Sequence, residues 1–223
     1  MFLIKGLRIF AMDLRVKAVI FDIDGTLYYS EKYVEHLISS MSMVLAEILR
    51  TELDEARNLL LSMREKVKTV SAGLRELGVD RRLFYDLLVE KIDPCRFIDP
   101  RPKLKEFIMK LRSRGIKTGC HTNSSRRLAE MILECIGLSV DHFDVFITCD
   151  DAEPKPDPEG YLKILEILKL KPDEVLYVGD RWEVEVEPAK LIGMKTALVS
   201  EKLEGDPDLF LSDVLELEKH LLG

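Results

Sequence analysis

The sequence contains no glutamine and only two asparagines, Asn58 and Asn123, although charged residues make up 33% of its 223 residues. Side-chain amides are lost at high temperature. Their scarcity beside abundant Glu, Lys and Arg is typical of hyperthermophile proteins. We therefore expect a thermophilic source.

Long hydrophobic runs are also absent. The N-terminal segment MFLIKGLRIFAMDLRVK is apolar, but Lys5 and Arg8 interrupt it, so no stretch is long enough for a signal peptide or a membrane span. An extra edge strand or an unstructured tail is the favoured interpretation, and a weak membrane-surface helix is the alternative. Met12 could be the natural start. We predict a cytoplasmic protein that does not enter the membrane.

Cysteine is sparse and shows no C-x-x-C pair, which argues against both a zinc site and a secreted disulfide framework. Cys120 and Cys149 lie in strand-like runs, where we expect small core residues. The remaining two are Cys95 and Cys135. No basic block occurs either, and the net charge of -7 argues against non-specific nucleic-acid binding.

Residues 30–97 show only helical periodicity. Apolar residues recur at helical spacing over 34–49 and 53–67 and more briefly over 83–88. Thr51 and Asp54 resemble a capping box, Gly73 and Gly78 are expected to interrupt the helices, and prolines end the block near residue 97. The methionines of this block are expected to form its core, namely Met41, Met43 and Met63.

The rest of the chain alternates between strand and helix patterns. Strands are predicted at 16–23, 116–121, 144–149, 174–180, 195–200 and 208–212, and helices at 102–114, 125–136, 158–169 and 186–192. Strands that are apolar on both faces indicate a parallel sheet covered on both sides. We predict an α/β fold, a Rossmann-like doubly wound parallel sheet formed by residues 1–29 and 98–223. An all-helical cap, residues 30–97, is inserted after the first strand.

Acidic residues follow two of the predicted strands. Asp22 and Asp24 are two positions apart, so their side chains point to the same side of the strand. Their repulsion should raise one pKa unless a cation lies between them. Asp180, after a neighbouring strand, adds a third carboxylate. Such a set of oxygen ligands suits Mg²⁺.

The other strand ends suit an anionic substrate. Thr122 offers a hydroxyl just before a helix, and Lys155 is a cation on a proline-flanked loop. A carboxylate that attacks phosphorus, with Mg²⁺ and a lysine to neutralise charge, is plausible phosphoryl-transfer chemistry. Gly25, Thr26 and Asn123 are predicted to line the substrate site with Asp22, Thr122 and Lys155.

Four segments in order, DIDGTL, HTNSS, EPKPDPEGY and YVGDRWEVEVEPA, resemble the motifs of the haloacid dehalogenase superfamily from about residue 16 onward. The helical block is similar to the mobile, helical C1-type cap of that family. The resemblance implies that Asp22 is the nucleophile that forms an aspartyl-phosphate. It also implies that Asp24 is the general acid and base, with its backbone carbonyl on Mg²⁺. Thr122 and Lys155 would hold the phosphoryl group, and Asp180 would bind the metal.

The last motif departs from the family pattern. A second Asp is usual five residues after the first, and here that position is Glu185. The longer side chain could still bind a metal-bound water or Lys155. We therefore expect activity to survive, with Glu185 as a fourth metal-site residue.

The resemblance implies a Mg²⁺-dependent phosphatase that acts on a small phosphorylated metabolite. The alternatives are a phosphotransferase such as a sugar-phosphate mutase, and a non-catalytic binding module. A dehalogenase is disfavoured because Asp24 is present to protonate a leaving alcohol. Phosphoglycolate, a sugar phosphate and a nucleoside monophosphate remain open as substrates. A monomer or weak homodimer is expected, with cap movement about residues 28–33 and 93–100.

Other conspicuous residues are given plainer interpretations. His121 is expected to be a packed strand-end histidine, Arg126 and Arg127 to lie on a solvated helix face, and Trp182 to be half-buried or a partner contact. Four cap residues could contact the leaving group, although a solvated helix is the simpler interpretation of each: Arg75, Arg81, Arg82 and Tyr85.

Overall fold

The computed structural model describes residues 15–67 and 69–223, with the backbone alone for residues 64–67. The predicted edge strand or tail at the N-terminus lies outside the described residues. Residues 1–14 of the predicted core also lie outside the described residues. So does the side chain of Val67, which belongs to the predicted helix 53–67.

Six parallel strands form one sheet in the order β3-β2-β1-β4-β5-β6. The strands are β1 (Ala18–Phe21), β2 (Lys117–His121), β3 (Val145–Ile147), β4 (Val175–Gly179), β5 (Lys195–Val199) and β6 (Leu209–Leu211). The chain moves outward from β1 to β3 and then returns to the other side of β1. The order of strands therefore reverses between β1 and β4, the place where open α/β sheets bind ligands.

Nine α-helices surround or extend this sheet within the described residues. They are α1 (Glu31–Leu49), α2 (Leu53–Val67), α3 (Val70–Glu76), α4 (Arg81–Val89), α5 (Pro102–Ser113), α6 (Arg126–Cys135), α7 (Glu159–Leu168), α8 (Glu187–Ile192) and α9 (Leu217–Leu221). A π-helix, Trp182–Val186, leads directly into α8. The predicted α/β fold with a doubly wound parallel sheet is confirmed.

The central strand β1 is buried on both faces because every residue of AVIF is apolar. Val19 and Phe21 pack into the larger core cluster, whereas Ala18 and Ile20 pack into a smaller one on the opposite face. This alternation follows from the two-residue period of a strand. It fixes the direction in which Asp22, the next residue, leaves the strand.

Between β1 and α5 the described residues form helices α1 to α4 and no strand, as the helical periodicity predicts. We call these four helices the helical insertion. The Ser30 hydroxyl caps α1 by accepting from the Tyr33 N–H at 3.2 Å, and the chain turns at Arg50, with a φ of 54°. The Ser30 hydroxyl also donates to the Phe97 carbonyl at 2.6 Å. This bond joins the two linkers of the insertion.

Several local predictions for the insertion are wrong. Gly73 does not interrupt a helix but lies within α3, where a Cβ would approach Met63 to 2.8 Å, so the glycine allows α3 to pack against α2. The Thr51 hydroxyl donates to Glu55, and α2 begins at Leu53, so Thr51 and Asp54 form no capping box. Met43 is 42% exposed, unlike the buried Met41 and Met63.

The cysteine prediction also needs correction, because Cys95 and Cys135 form a disulfide with a Cα–Cα distance of 4.9 Å. Their separation of 40 residues gave no sequence pattern. The fold brings the linker after α4 against the end of α6. Cys120 and Cys149 are free and buried, as predicted.

Within the described part of the chain, no helix combines the length and the apolar character that crossing a membrane requires.

Candidate active site

Three carboxylates converge where β1 and β4 end. Asp22 follows β1, Asp180 follows β4, and Glu185 lies in the π-helix that comes next. One oxygen from each side chain lies within 4.8 Å of the other two. The two strands are neighbours in the sheet, which explains how residues 158 positions apart in the sequence meet.

Two oxygens of this group lack hydrogen bonds. Asp22 Oδ2 and Asp180 Oδ1 are buried and have no partner among the described residues. A buried carboxylate oxygen without a donor is unfavourable unless a cation compensates it. Hard oxygen ligands that leave room for water and a phosphate oxygen are the set that Mg²⁺ prefers. These residues therefore fit a magnesium ion.

The electrostatics of the group favour the same cation. Burial, followed by the charge of Glu185, raises the pKa values of Asp22 and Asp180 above the ordinary range. The predicted repulsion between Asp22 and Asp24 contributes less to the pKa of Asp22 than burial and Glu185 do. A bound divalent cation would reverse these shifts by favouring the charged forms.

Lys155 is completely buried against these carboxylates. Its Nζ donates to Asp22 Oδ1 at 2.5 Å and to the His121 carbonyl at 2.9 Å, and it lies 3.3 Å from Glu185 Oε1. Burial alone would lower the pKa of Lys155, but the charges of Asp22 and Glu185 outweigh it and raise that pKa. Lys155 is therefore a fixed ammonium group beside the Asp22 carboxylate.

Asn123 holds the backbone that carries Lys155. The Lys155 N–H donates to Asn123 Oδ1 at 2.7 Å, and Asn123 Nδ2 donates to the Lys155 carbonyl at 3.0 Å. The side chain thus acts on the lysine loop, while the residue also lines the cavity. Its backbone carbonyl accepts from the insertion: from Tyr85 Oη at 3.1 Å and Ser71 Oγ at 3.4 Å.

Asp24 lies outside the three-carboxylate group and is half-buried. Its Oδ1 accepts from the Tyr28 hydroxyl at 2.5 Å, and its Oδ2 accepts from the Ser124 hydroxyl at 3.2 Å. Burial raises the pKa of Asp24, and these two hydrogen bonds oppose that shift. Asp24 is therefore held in one orientation by groups on both sides.

Thr122 and Gly25 of the predicted site line the cavity, whereas Thr26 is not among the described residues that line it. Thr122 is buried, and its hydroxyl accepts from the Ser124 N–H at 3.1 Å. Thr122 does not cap α6, because Ser125 accepts from the Leu128 N–H. The Thr26 hydroxyl is buried without a hydrogen-bond partner among the described residues.

Gly25 turns the chain at a φ of 89°, and a Cβ on it would lie 2.2 Å from Asp180 Oδ2. The motif therefore needs glycine both for its backbone conformation and for the approach of Asp180.

Glu185 has no unused oxygen. Its Oε1 pairs with Lys155 at 3.3 Å and Arg181 at 3.1 Å, and its Oε2 accepts from the Asp180 N–H at 3.3 Å. The longer side chain thus contacts the lysine and the backbone of the acidic residue before it. These contacts explain how glutamate fits where the family pattern has aspartate.

The site opens into a cavity of about 360 Å³ between the strand ends and the helical insertion. Residues that the sequence analysis missed line it. Tyr28, Tyr33 and Ser71 come from the insertion and its first linker, and Arg181 follows Asp180. Tyr85 also lines the cavity, although it was predicted only as a possible contact. Their participation depends on how the insertion packs over the sheet, which no local pattern encodes.

The remaining conspicuous residues have structural contacts. His121 is buried, and its ring packs edge-on against Tyr161 at 4.6 Å between centroids, as a packed strand-end histidine should. Trp182 is half-buried, as expected, and stacks closely on Gly205. Arg126 pairs with Asp151 at 3.0 Å, whereas the Arg127 side chain is 66% exposed.

Residues 16–193 match the family of haloacid dehalogenase-like hydrolases, well over half of the chain. The chain belongs to this family. A curated relative, the glyceraldehyde 3-phosphate phosphatase of Methanopyrus kandleri, is 30% identical over 82% of this chain and 84% of its own length. Pyrophosphatase PpaX of Bacillus cereus is 30% identical over 92% of this chain and 95% of its own.

Solved structures agree with this assignment. A HAD phosphatase from Thermococcus onnurineus has a TM-score of 0.70 and 28% identity, covering 93% of this chain and 98% of that one. The predicted family is confirmed. The prediction that this protein is a hydrolytic enzyme of the phosphatase type is confirmed with it.

Proposed function

We propose that this protein is a Mg²⁺-dependent phosphatase that hydrolyses a small phosphorylated metabolite through an aspartyl-phosphate. The observation that carries the proposal is the buried contact of 2.5 Å between Lys155 Nζ and Asp22 Oδ1, beside a group of carboxylates that fits a cation. The related phosphatases described above support the same reaction. A binding module would not need a buried lysine against a carboxylate nucleophile.

In the first step, an Asp22 carboxylate oxygen attacks phosphorus and the bond from phosphorus to the ester oxygen breaks. Lys155 offsets the negative charge shared by Asp22 and the incoming phosphoryl group. The Thr122 hydroxyl belongs to a residue that lines the cavity, and it would hold a phosphoryl oxygen. A magnesium ion held by Asp22, Asp180 and the Asp24 carbonyl, with Glu185 beside them, would offset the charge on the phosphoryl oxygens.

Asp24 supplies the proton for the leaving alcohol. The Tyr28 hydroxyl occupies Oδ1 through its short hydrogen bond, so Oδ2, with the longer contact to Ser124, is the oxygen that carries the proton. In the second step Asp24 accepts a proton from water. That water attacks the phosphorus of the aspartyl-phosphate, which releases inorganic phosphate and restores Asp22.

We also propose the division into a core, residues 1–29 and 98–223, and a cap, residues 30–97, that moves over the site. The bond between Ser30 and Phe97 joins the two linkers at one place, so the chain enters and leaves the cap side by side. Cytoplasmic location, a thermophilic source and a monomer or weak homodimer stay predictions. The disulfide is compatible with an intracellular protein if the source is a hyperthermophile, since such proteins are often disulfide-rich.

Phosphate release from a panel of phosphate esters, with Mg²⁺ and with a chelator, tests the proposed reaction. Asp22→Asn should lower the rate at least ~1000-fold, because an amide is a poor nucleophile. Asp173→Asn, an exposed acidic residue away from the site, is the matched control and should keep full activity. Full activity in Asp22→Asn, or in the presence of chelator, would contradict the proposal. Phosphoryl return to a second substrate hydroxyl instead of release would favour the phosphotransferase alternative.

A further inference from the structure

One wall of the catalytic cavity is apolar. Helix α1 lines it with side chains at helical spacing, so that they share one face of the helix. These side chains are Tyr33, Val34, Leu37, Ile38 and Met41. Tyr33 and Met41 are buried, and the others are partly exposed toward the space above the strand ends.

The opposite wall is acidic. It carries Asp22, Asp24, Asp180 and Glu185. Among the described residues that line this cavity, Arg181 is the one cation, and it already pairs with Glu185 at 3.1 Å. A leaving group that extends from a phosphoryl group at Asp22 toward α1 would meet no further described cation among the residues that line this cavity. Burying a second negative charge against apolar side chains is strongly unfavourable.

The arginines that could bind a second anion lie elsewhere. Arg75, Arg81 and Arg82 line a separate cleft of about 830 Å³. It meets the catalytic cavity at Thr69 and Ser71, which line both, and Lys155 also lines this cleft. The three arginines line this second cleft and not the catalytic cavity, so a leaving group that packs against α1 does not contact them.

The size of the cavity limits the leaving group further. A volume of about 360 Å³ is near the lower end of the usual range for small-molecule sites, roughly 300–1,000 Å³. The phosphoryl group occupies part of this space. An alcohol that stays within this cavity is therefore small.

Given the proposed phosphatase activity, we infer that the preferred substrate is a monophosphate ester of a small, uncharged alcohol whose non-polar side packs against α1. A leaving group with a carboxylate or a second phosphate close to the ester is disfavoured. Among the substrates left open by the sequence, this inference disfavours phosphoglycolate. Small sugar phosphates remain candidate substrates under this inference.

The test compares two esters that differ in one charge, glycerol 3-phosphate and 3-phosphoglycerate, with Mg²⁺ present. The expected kcat/KM is at least tenfold higher for glycerol 3-phosphate. Leu37→Lys places an ammonium group in the α1 wall and should reduce this ratio about tenfold. Leu61→Lys, on the exposed side of α2 and outside the cavity, should leave it unchanged.

Equal or faster hydrolysis of 3-phosphoglycerate by the unmodified enzyme would overturn the inference. If Arg81→Ala then removed that preference, the charge would be assigned to the arginine cleft. Both results leave the proposed function intact, because phosphate is still released. No release from either ester or from p-nitrophenyl phosphate would instead overturn the proposed function, and the inference with it.

Discussion

Single residues in the acidic site have little tolerance for change, because each is enclosed by groups of the same site. Gly25 is the sharpest case, since it combines a φ of 89° with a virtual Cβ 2.2 Å from Asp180 Oδ2. A side chain there must displace either the carboxylate or the turn. The left-handed conformation itself costs a residue with a Cβ about 1–2 kcal/mol.

Gly25→Ala should therefore lower kcat/KM for any hydrolysed ester at least ~100-fold, because small displacements of catalytic groups have large effects on rate. Gly115→Ala is the matched control. Gly115 also has a positive φ, 77°, but nothing lies within 4 Å of its virtual Cβ. It should lose about 1 kcal/mol of stability through backbone strain and keep its activity. Equal activity losses in both variants would show that strain alone explains the effect.

At the scale of secondary-structure elements, Asp151 fastens the end of β3 to α6. Its Oδ2 accepts from the Thr148 N–H at 2.9 Å, from the Thr148 hydroxyl at 2.7 Å and from Arg126 Nη2 at 3.0 Å. Burial would raise the pKa of Asp151, but the hydrogen bonds from Thr148 and the charge of Arg126 outweigh it and lower that pKa. The charged form is thus favoured in the folded protein.

The sign of this shift predicts how stability depends on pH. A lowered pKa in the folded state means that Asp151 stabilises the protein above the ordinary Asp pKa of about 3.9, and that this stabilisation is lost as pH falls through the lower folded value. Asp151→Asn should cost about 1 kcal/mol near pH 7. Urea unfolding at several pH values should show this cost shrinking below about pH 4.

The exposed substitution Asp173→Asn is the control for the pH series, and its unfolding curves should follow those of the unmodified protein. A cost for Asp151→Asn that stays constant down to about pH 2 would mean that the charge of Asp151 does not contribute.

The disulfide acts at the same scale. It joins the linker after α4 to the end of α6, whose first turn borders the active site. The C-terminal linker of the insertion is therefore fixed to the core at Cys95. Any movement of the insertion has to occur on the α4 side of that residue.

At the scale of the whole molecule, Asn123 connects the helical insertion to the loop that carries Lys155. Its carbonyl accepts from Tyr85 and Ser71 of the insertion, while its side-chain amide holds the Lys155 backbone. The position of the insertion and the position of the lysine loop thus both depend on one residue. The contacts of the insertion with Asn123 should in this way support the geometry at Asp22.

Tyr85→Phe removes the stronger of the two bonds from the insertion and keeps the ring. We expect amide exchange in α3 and α4 to accelerate about 2–10-fold, because a hydrogen bond contributes about 0.5–1.5 kcal/mol. The amides of β1 and β4 should be unaffected, and kcat/KM should fall by a similar factor. Hydrogen exchange followed by mass spectrometry measures both regions at once.

Ser39→Ala is a suitable control, since the Ser39 hydroxyl bonds only to the Glu35 carbonyl of its own helix in the described contacts. It should change neither exchange nor activity. Faster exchange throughout the sheet in Tyr85→Phe would indicate general destabilisation and would count against the role of Asn123 as the connection.

The sequence by itself determined the parallel α/β sheet, the strand ends that carry Asp22, Asp180 and Thr122, and the loop that carries Lys155. These features depend on local periodicity and on short motifs, and both are encoded within a few residues. Helix and strand boundaries agreed within a few positions for the same reason. The helical nature of α1, α2 and α4 was likewise visible in their spacing, whereas α3 was not predicted.

Only the tertiary structure decided which distant groups meet. Three such contacts depend on packing between elements. They are the Cys95–Cys135 disulfide, the hydrogen bond between Asn123 and the Lys155 backbone, and the hydrogen bond from Tyr28 to Asp24. The errors at Gly73 and Met43 have the same origin, because a glycine or a methionine in a helix can face either a neighbouring helix or solvent. Local patterns specify the elements, but contacts between elements depend on the three-dimensional arrangement of the whole chain.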